Sequence, residues 1–201
     1  MLVVPVRRTR DDILVVHFDA FRKIGDRDVP ICQVTLSQWQ QSVKDGPQIA
    51  TLDQVLGLVA PRGVGVLLDV RDSGIEGLVA RALRKSMIPK ENLMLMPMGS
   101  ASRAIFKGLD PNIPIAHRLE EDEALVDAKL LAELDTDAVV WHHRLLNSAF
   151  VKILNMRKIK VYAYSADLAE DMRRTRDILM VDGIVTRYPD LLATLPVGAP
   201  R

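Results

Sequence analysis

Cysteine is nearly absent from this sequence. Cys32 is the only one among 201 residues, which excludes an intramolecular disulfide and a cysteine-rich zinc site. A lone thiol fits a reducing compartment, and Cys32 itself reads as an ordinary semi-buried residue. Aromatic side chains are scarce as well, at 4% of the chain, so the core must rest on Val, Leu and Ile. Neither sign of charge is in excess. The 27 basic and 26 acidic residues leave a formal charge of +1, which supplies no net field to draw in nucleic acid or an anionic membrane. Long hydrophobic runs are missing too. Met1–Val6 is apolar, but Arg7, Arg8 and Arg10 follow at once, short of both a signal core and a membrane span. These absences predict one cytoplasmic domain over residues 1–201, with no nucleic-acid partner and no transmembrane segment.

What is present is alternation. Short β-branched runs alternate with longer helical patterns, as in a parallel sheet covered by helices. Strands are expected at Ile13–His17, Val64–Val70, Leu93–Met96, Ile113–Ala116, Ala138–Trp141, Ile159–Tyr164 and Gly183–Thr186, with Val3–Val6 a further one. Thr51 is placed to cap a helix that Pro61-Arg62-Gly63 stops, and Leu78, Val79, Ala82 and Leu83 form one apolar stripe. Leu125, Ala128, Leu131 and Ala132 form another. Asn147 is placed to cap a helix carrying Phe150, Val151 and Leu154. Asp167 is expected to open a charged helix whose run to Asp177 is solvated, and Tyr188-Pro189 to start a last short one. Repeated βα units imply a barrel or an open doubly wound sheet, and periodicity does not choose between them.

Residues 18–50 break this rhythm. Gly25, Asp26, Arg27, Asp28 and Pro30 predict a polar loop, and Thr35-Leu36-Ser37-Gln38-Trp39 a brief capped helix. The segment therefore reads as a loop-rich insertion on one face, where barrels usually build their active-site rim.

Several ordered segments resemble one family. Thr9-Arg10-Asp11-Asp12-Ile13-Leu14-Val15-Val16-His17-Phe18-Asp19 is similar to the "T-x-D-G-x-P-V-V-x-H-D" segment of glycerophosphodiester phosphodiesterases. Ile49–Leu56 is similar to its "I-P-T-L-E-E-V-L", and Leu67-Leu68-Asp69-Val70-Arg71 falls where it carries "N-I-E-I-K". Lys160–Ser165 resembles "R-V-Y-V-W-T", and Val181–Pro189 resembles "V-D-G-I-I-T-D-Y-P". The resemblance spans nearly the whole chain. It implies an α/β fold of the (β/α) TIM-barrel type. It also implies metal-dependent hydrolysis of glycerophosphodiesters to glycerol 3-phosphate and an alcohol, with Mg²⁺ or Ca²⁺ and two histidines. A cation neutralises charge on the anionic diester, and a histidine protonates the departing oxygen.

The departures are as specific as the matches. The family's opening "H-R-G" and "E-N-T" have no counterpart, so the first βα unit is read as lacking. Its "E-x-D" metal ligands align with Val3 and Pro5, which offer no side-chain donor. Phe18 takes the place of the family's histidine, while His17 stands one residue earlier and should point the opposite way. By resemblance, Asp69 and Asp19 are the remaining candidate metal ligands and His17 the candidate acid or base. Arg71, His142 and Tyr164 are the candidate substrate contacts. The plainer alternatives are a strand histidine at 17, an ion pair between Asp69 and Arg71, and a packed aromatic at 164. Asp69 and Arg71 are two apart and so share a face.

Two functions of different class follow. One is a glycerophosphodiester phosphodiesterase domain that is impaired or inactive in this form. The other is a non-catalytic barrel binding a phosphorylated ligand or a protein partner. A third reading is an unrelated phosphate-binding barrel using backbone N–H groups near Arg187 and Tyr188 as an anion nest. A barrel without its first strand has an open seam. That seam is expected to close on itself, to join a homodimer, or to leave a poorly soluble fragment.

Overall fold

The computed structural model describes residues 1–24, 26–43, 48–119 and 136–196. They fall into two units, residues 1–114 and 115–201. The apolar stripe expected over 125–132 lies outside the described residues. No helix among the described residues is long and apolar enough to cross a membrane.

In the first unit, β1 (Leu2–Arg8), β2 (Leu14–Val16), β5 (Val66–Val70) and β6 (Leu93–Met96) form a sheet in the order β2-β1-β5-β6. β1 runs antiparallel to β2 and parallel to β5, which is parallel to β6. Every residue of β5 is buried. That explains its near-continuous aliphatic run, because a parallel strand covered on both faces has no wet side to make polar. Thr51 caps α2 (Leu52–Val59) as expected: its hydroxyl accepts from Gln54 N and Gln54 Oε1 accepts from Thr51 N. Gly63, left-handed at φ 63°, ends the turn that follows. The stripe at Leu78–Leu83 lies on α3 (Glu76–Ser86), and α4 covers Gly99–Leu109.

Within residues 18–50 the described residues carry regular structure. The expected polar loop is a hairpin of β3 (Phe21–Ile24) and β4 (Arg27–Pro30), followed by a short turn and α1 (Leu36–Ser42). Thr35 caps α1 through a reciprocal pair with Gln38. Trp39 is 1% exposed and packs with Val15, Ile31 and Val34. This small core holds the segment, and the sequence hid it because hairpin residues such as Arg22, Lys23 and Asp28 interrupt the apolar alternation. Cys32 is exposed rather than semi-buried, since Ile31 takes the inward position of that turn.

In the second unit, β7 (Ala116–Arg118), β8 (Ala138–His142), β9 (Lys160–Tyr164) and β10 (Gly183–Val185) form a parallel sheet in the order β10-β9-β8-β7. β7 starts three residues later than expected. Asp110 accepts from the N–H groups of both Asn112 and Ile113, which holds 110–113 in a turn. Asn147 caps the helix Ser148–Met156 through Phe150 N at 2.9 Å. Leu119, Val139, Trp141, Leu154, Val161 and Leu179 form the core.

Gly183 is register partner to Tyr162, and a Cβ built on it would lie 2.6 Å from the ring. Gly183→Ala is therefore expected to cost about 1–3 kcal/mol in chemical denaturation, as overpacking does. An unchanged midpoint would mean that the Tyr162 ring swings aside freely.

Candidate functional site

The first unit carries a charged cluster where β5 ends. Arg71 Nε donates to Asp69 Oδ2 at 2.7 Å, and the two side chains are 15% and 5% exposed. Asp69 is flanked in register by Pro5 on β1 and Met96 on β6. Parallel register partners share a face, so the side chains directly beside that carboxylate on both neighbouring strands are apolar. A buried carboxylate without a partner is costly, and the guanidinium two residues on answers it. The Phe18 ring lies over that guanidinium at 3.7 Å from its centre, a cation–π contact that also shields the pair from water.

Arg7 bolts the cluster together. Its Nη1 pairs with Asp72 Oδ1 at 2.6 Å, and its Nε and Nη2 donate to the Phe18 carbonyl at 3.2 and 3.1 Å. Asp72 also accepts from Arg8 N. Sequence reasoning used Arg7 only as the end of an apolar run and missed this role. The signal available was its position at the C-terminal end of a strand, where barrel sites collect.

His17 and Phe18 lie just past the end of β2 and diverge. The His17 ring meets the edge of Trp39 at 5.2 Å, and its Nδ1 is 3.1 Å from the Asp19 carbonyl. His17 thus lies against the hairpin core while Phe18 lies on Arg71. Asp19 is exposed, and no side-chain hydrogen bond or ion pair of it is formed among the described residues. The structure brings Asp69 and Arg71 together, and it draws neither His17 nor Asp19 into their contacts.

In the second unit, His142 meets Tyr164 edge to face at 5.2 Å, and its Nδ1 accepts from Arg144 N at 3.3 Å. His143 is 2% exposed, with Nδ1 3.5 Å from Asp171 Oδ1 and no hydrogen bond to it. Burial pushes the His143 pKa down, and the Asp171 charge offsets this only in part. Arg174 donates to the carbonyls of His143 and Leu146 at 2.9 and 3.0 Å. The charged run is therefore not all solvated, because Asp171 and Arg174 turn inward to hold this loop.

Asp167 does not open the following helix, Ala169–Arg173, which has no side-chain cap. It accepts instead from Thr186 Oγ1, Arg187 N and Arg187 Nε at 2.9, 3.0 and 2.8 Å. Burial raises its carboxyl pKa, but these hydrogen bonds outweigh that and leave it below the usual carboxylate range. Tyr188 N donates to Thr186 Oγ1. Both N–H groups needed for an anion nest at Arg187 and Tyr188 are thus already spent within the chain, which removes the unrelated phosphate-barrel reading.

The sequence profile of the Glycerophosphoryl diester phosphodiesterase family matches residues 5–191. The chain belongs to this family. Its fold class is the family's TIM-type barrel, and the solved structures it resembles agree. A putative glycerophosphoryl diester phosphodiesterase from Silicibacter pomeroyi superimposes with a TM-score of 0.83 at 14% identity, over 95% of this chain and 81% of that one. An Oleispira antarctica phosphodiesterase in complex with the product sn-glycerol-3-phosphate gives 0.80 at 19%, over 96% and 83%. A glycerophosphodiester phosphodiesterase from Thermotoga maritima gives 0.75 at 17%, over 96% and 84%. No curated protein sequence matches the chain.

A divalent cation, which glycerophosphodiester phosphodiesterases generally use, does not fit the residues at this strand end. Val3 and Pro5 supply no donor where the resemblance places two ligands, and Asp69 Oδ2 is engaged by Arg71. A hard cation needs several converging oxygens, and a guanidinium 2.7 Å from the Asp69 carboxylate repels it. Among the described residues no group of three or more His, Cys, Asp and Glu side chains is placed to hold a metal.

Proposed function

We propose that this glycerophosphodiester phosphodiesterase family member binds a phosphorylated small molecule and is impaired in hydrolysing it. The observation that carries the reading is the Asp69–Arg71 pair at 2.7 Å beneath Phe18, with Pro5 as the register partner of Asp69. Where the family would gather carboxylates around a cation, this chain supplies a cation of its own. Arg71 Nε is committed to Asp69, and its two Nη groups have no acceptor among the described residues. They are free to donate in parallel to two oxygens of a phosphoryl group, a geometry in which arginine excels. The product bound by the Oleispira antarctica relative, sn-glycerol-3-phosphate, has that chemistry. No group in the Arg71 cluster is placed to protonate a departing alkoxide. His17, the candidate acid, lies against Trp39 instead.

The test has two arms on the purified chain. With glycerophosphocholine and Mg²⁺ or Ca²⁺, no chelator-sensitive release of glycerol 3-phosphate is expected. With sn-glycerol-3-phosphate and chelator present, calorimetry is expected to show binding that Arg71→Ala weakens roughly tenfold or more, from loss of charge-assisted hydrogen bonds. Robust turnover abolished by chelator would overturn the reading.

A further inference from the structure

The first unit has a cavity of about 290 Å³ at the other end of its sheet. Leu93, which opens β6, lines it, whereas Asp69 pairs with Met96 at the opposite end of that strand. The separation is three residues of strand, on the order of 10 Å. We propose that this cavity is a second binding site, and that it takes a single-chain amphiphile with an alkyl body and a monoanionic head, such as a medium-chain carboxylate.

The lining dictates the alkyl body. Phe106, Leu93 and Ile113, all under 9% exposed, form the inner wall, and Leu83 and Leu109 lead outward to solvent. Empty apolar space forfeits dispersion contacts on one side, which an alkyl chain would restore. The volume is at the lower end of small-ligand sites, about 300–1,000 Å³, so one chain fits and a two-chain lipid does not.

The rim dictates the head. Lys90 and Asp110 pair at 2.6 Å and cancel. The carbonyl ends of α3 and α4 add partial negative charge, about half a unit each, against three cations in their last turns, Arg84 and Lys85 on α3 and Lys107 on α4. Arg84 also lines the cavity and has no acceptor among the described residues, so one cation is left over at the mouth.

Met87 is a separate pointer to a ligand. It ends α3 in the left-handed conformation at φ 58°, a position that favours glycine, and its side chain is 88% exposed. The chain therefore bears both backbone strain and a wet apolar side chain at the cavity mouth, where an unbranched thioether can fold over an occupant.

The experiment titrates the full chain with decanoate, 1-decanol and decyltrimethylammonium, each below its micelle-forming concentration, read by backbone amide chemical shifts. Decanoate should bind about fivefold tighter than decanol, the worth of one exposed ion pair, and the ammonium compound weakest. Shifts should gather at Leu83, Phe106 and Leu109. Ala80→Phe, which fills the cavity, should weaken decanoate more than tenfold, and Arg84→Glu should bring it to the decanol level. Binding of sn-glycerol-3-phosphate should be unchanged in both variants, which separates this site from the Arg71 cluster. Should Ala80→Phe fail to fold, Arg84→Glu still decides, because that side chain is exposed. Decanol binding as tightly as decanoate, or decanoate binding untouched by Arg84→Glu, would overturn the proposal.

Discussion

Asp69→Ala should lower the unfolding free energy by about 3 kcal/mol, because it strands the Arg71 guanidinium with no counter-charge in a largely buried place. Arg71 is only 15% exposed and lies under Phe18, so water cannot fully replace the lost carboxylate. Arg71→Ala should cost a similar amount for the mirror reason, since Asp69 would lose its guanidinium partner between the apolar Pro5 and Met96. The informative variant is the double change. Asp69→Leu with Arg71→Met replaces the ion pair by apolar volume, and buried pairs treated this way are often neutral or more stable. Denaturant titration of the parent, Asp69→Leu, Arg71→Met and the double variant closes a cycle that gives the coupling energy. Single variants within about 0.5 kcal/mol of the parent would mean that the pair is hydrated and loose, and the bidentate role given to Arg71 would lose its rigid base.

The second large effect is in the hairpin segment. Trp39→Ala should cost about 3–5 kcal/mol, the usual range for deleting a buried indole. Trp39 is enclosed by Val15, Ile31 and Val34, takes the edge of His17, and carries the Arg22 guanidinium on its face at 4.6 Å. Desolvation pushes the Arg22 pKa down, so removing the ring would also rewet a cation packed on apolar surface. Because His17 and Phe18 are consecutive, loosening the His17 side should release Phe18 from Arg71, and sn-glycerol-3-phosphate binding should weaken along with stability. A cost below about 1 kcal/mol would return residues 18–50 to the status of a surface loop.

Much of this was legible in the residues. Aliphatic runs located the strands of both sheets, because a strand buried on both faces must be continuously apolar. Thr51 with Gln54, Thr35 with Gln38, and Asn147 announced helix starts, since orphan N–H groups at a helix end need an acceptor within three residues. The shared face of Asp69 and Arg71 followed from their spacing of two. These are local rules, and they hold wherever the geometry is decided by neighbours in sequence.

The remainder depended on partners far along the chain. Phe18 covers Arg71 across 53 residues of sequence, Arg7 reaches Asp72 across 65, and Arg174 reaches His143 across 31. Asp167, expected to open the charged helix that follows it, instead bonds Thr186 and Arg187, because those N–H and O–H donors outcompete a first helical turn for its oxygens. The sequence by itself determined the alternation of strands and helices and the family, since both are carried by residue type and spacing. Only the tertiary structure decided that Asp69 answers to Arg71 and Phe18, that His17 belongs to a hairpin core, and that the Arg187 nest is closed. Those outcomes depend on which side chains folding brings within about 3–4 Å, the range over which hydrogen bonds and buried charges act.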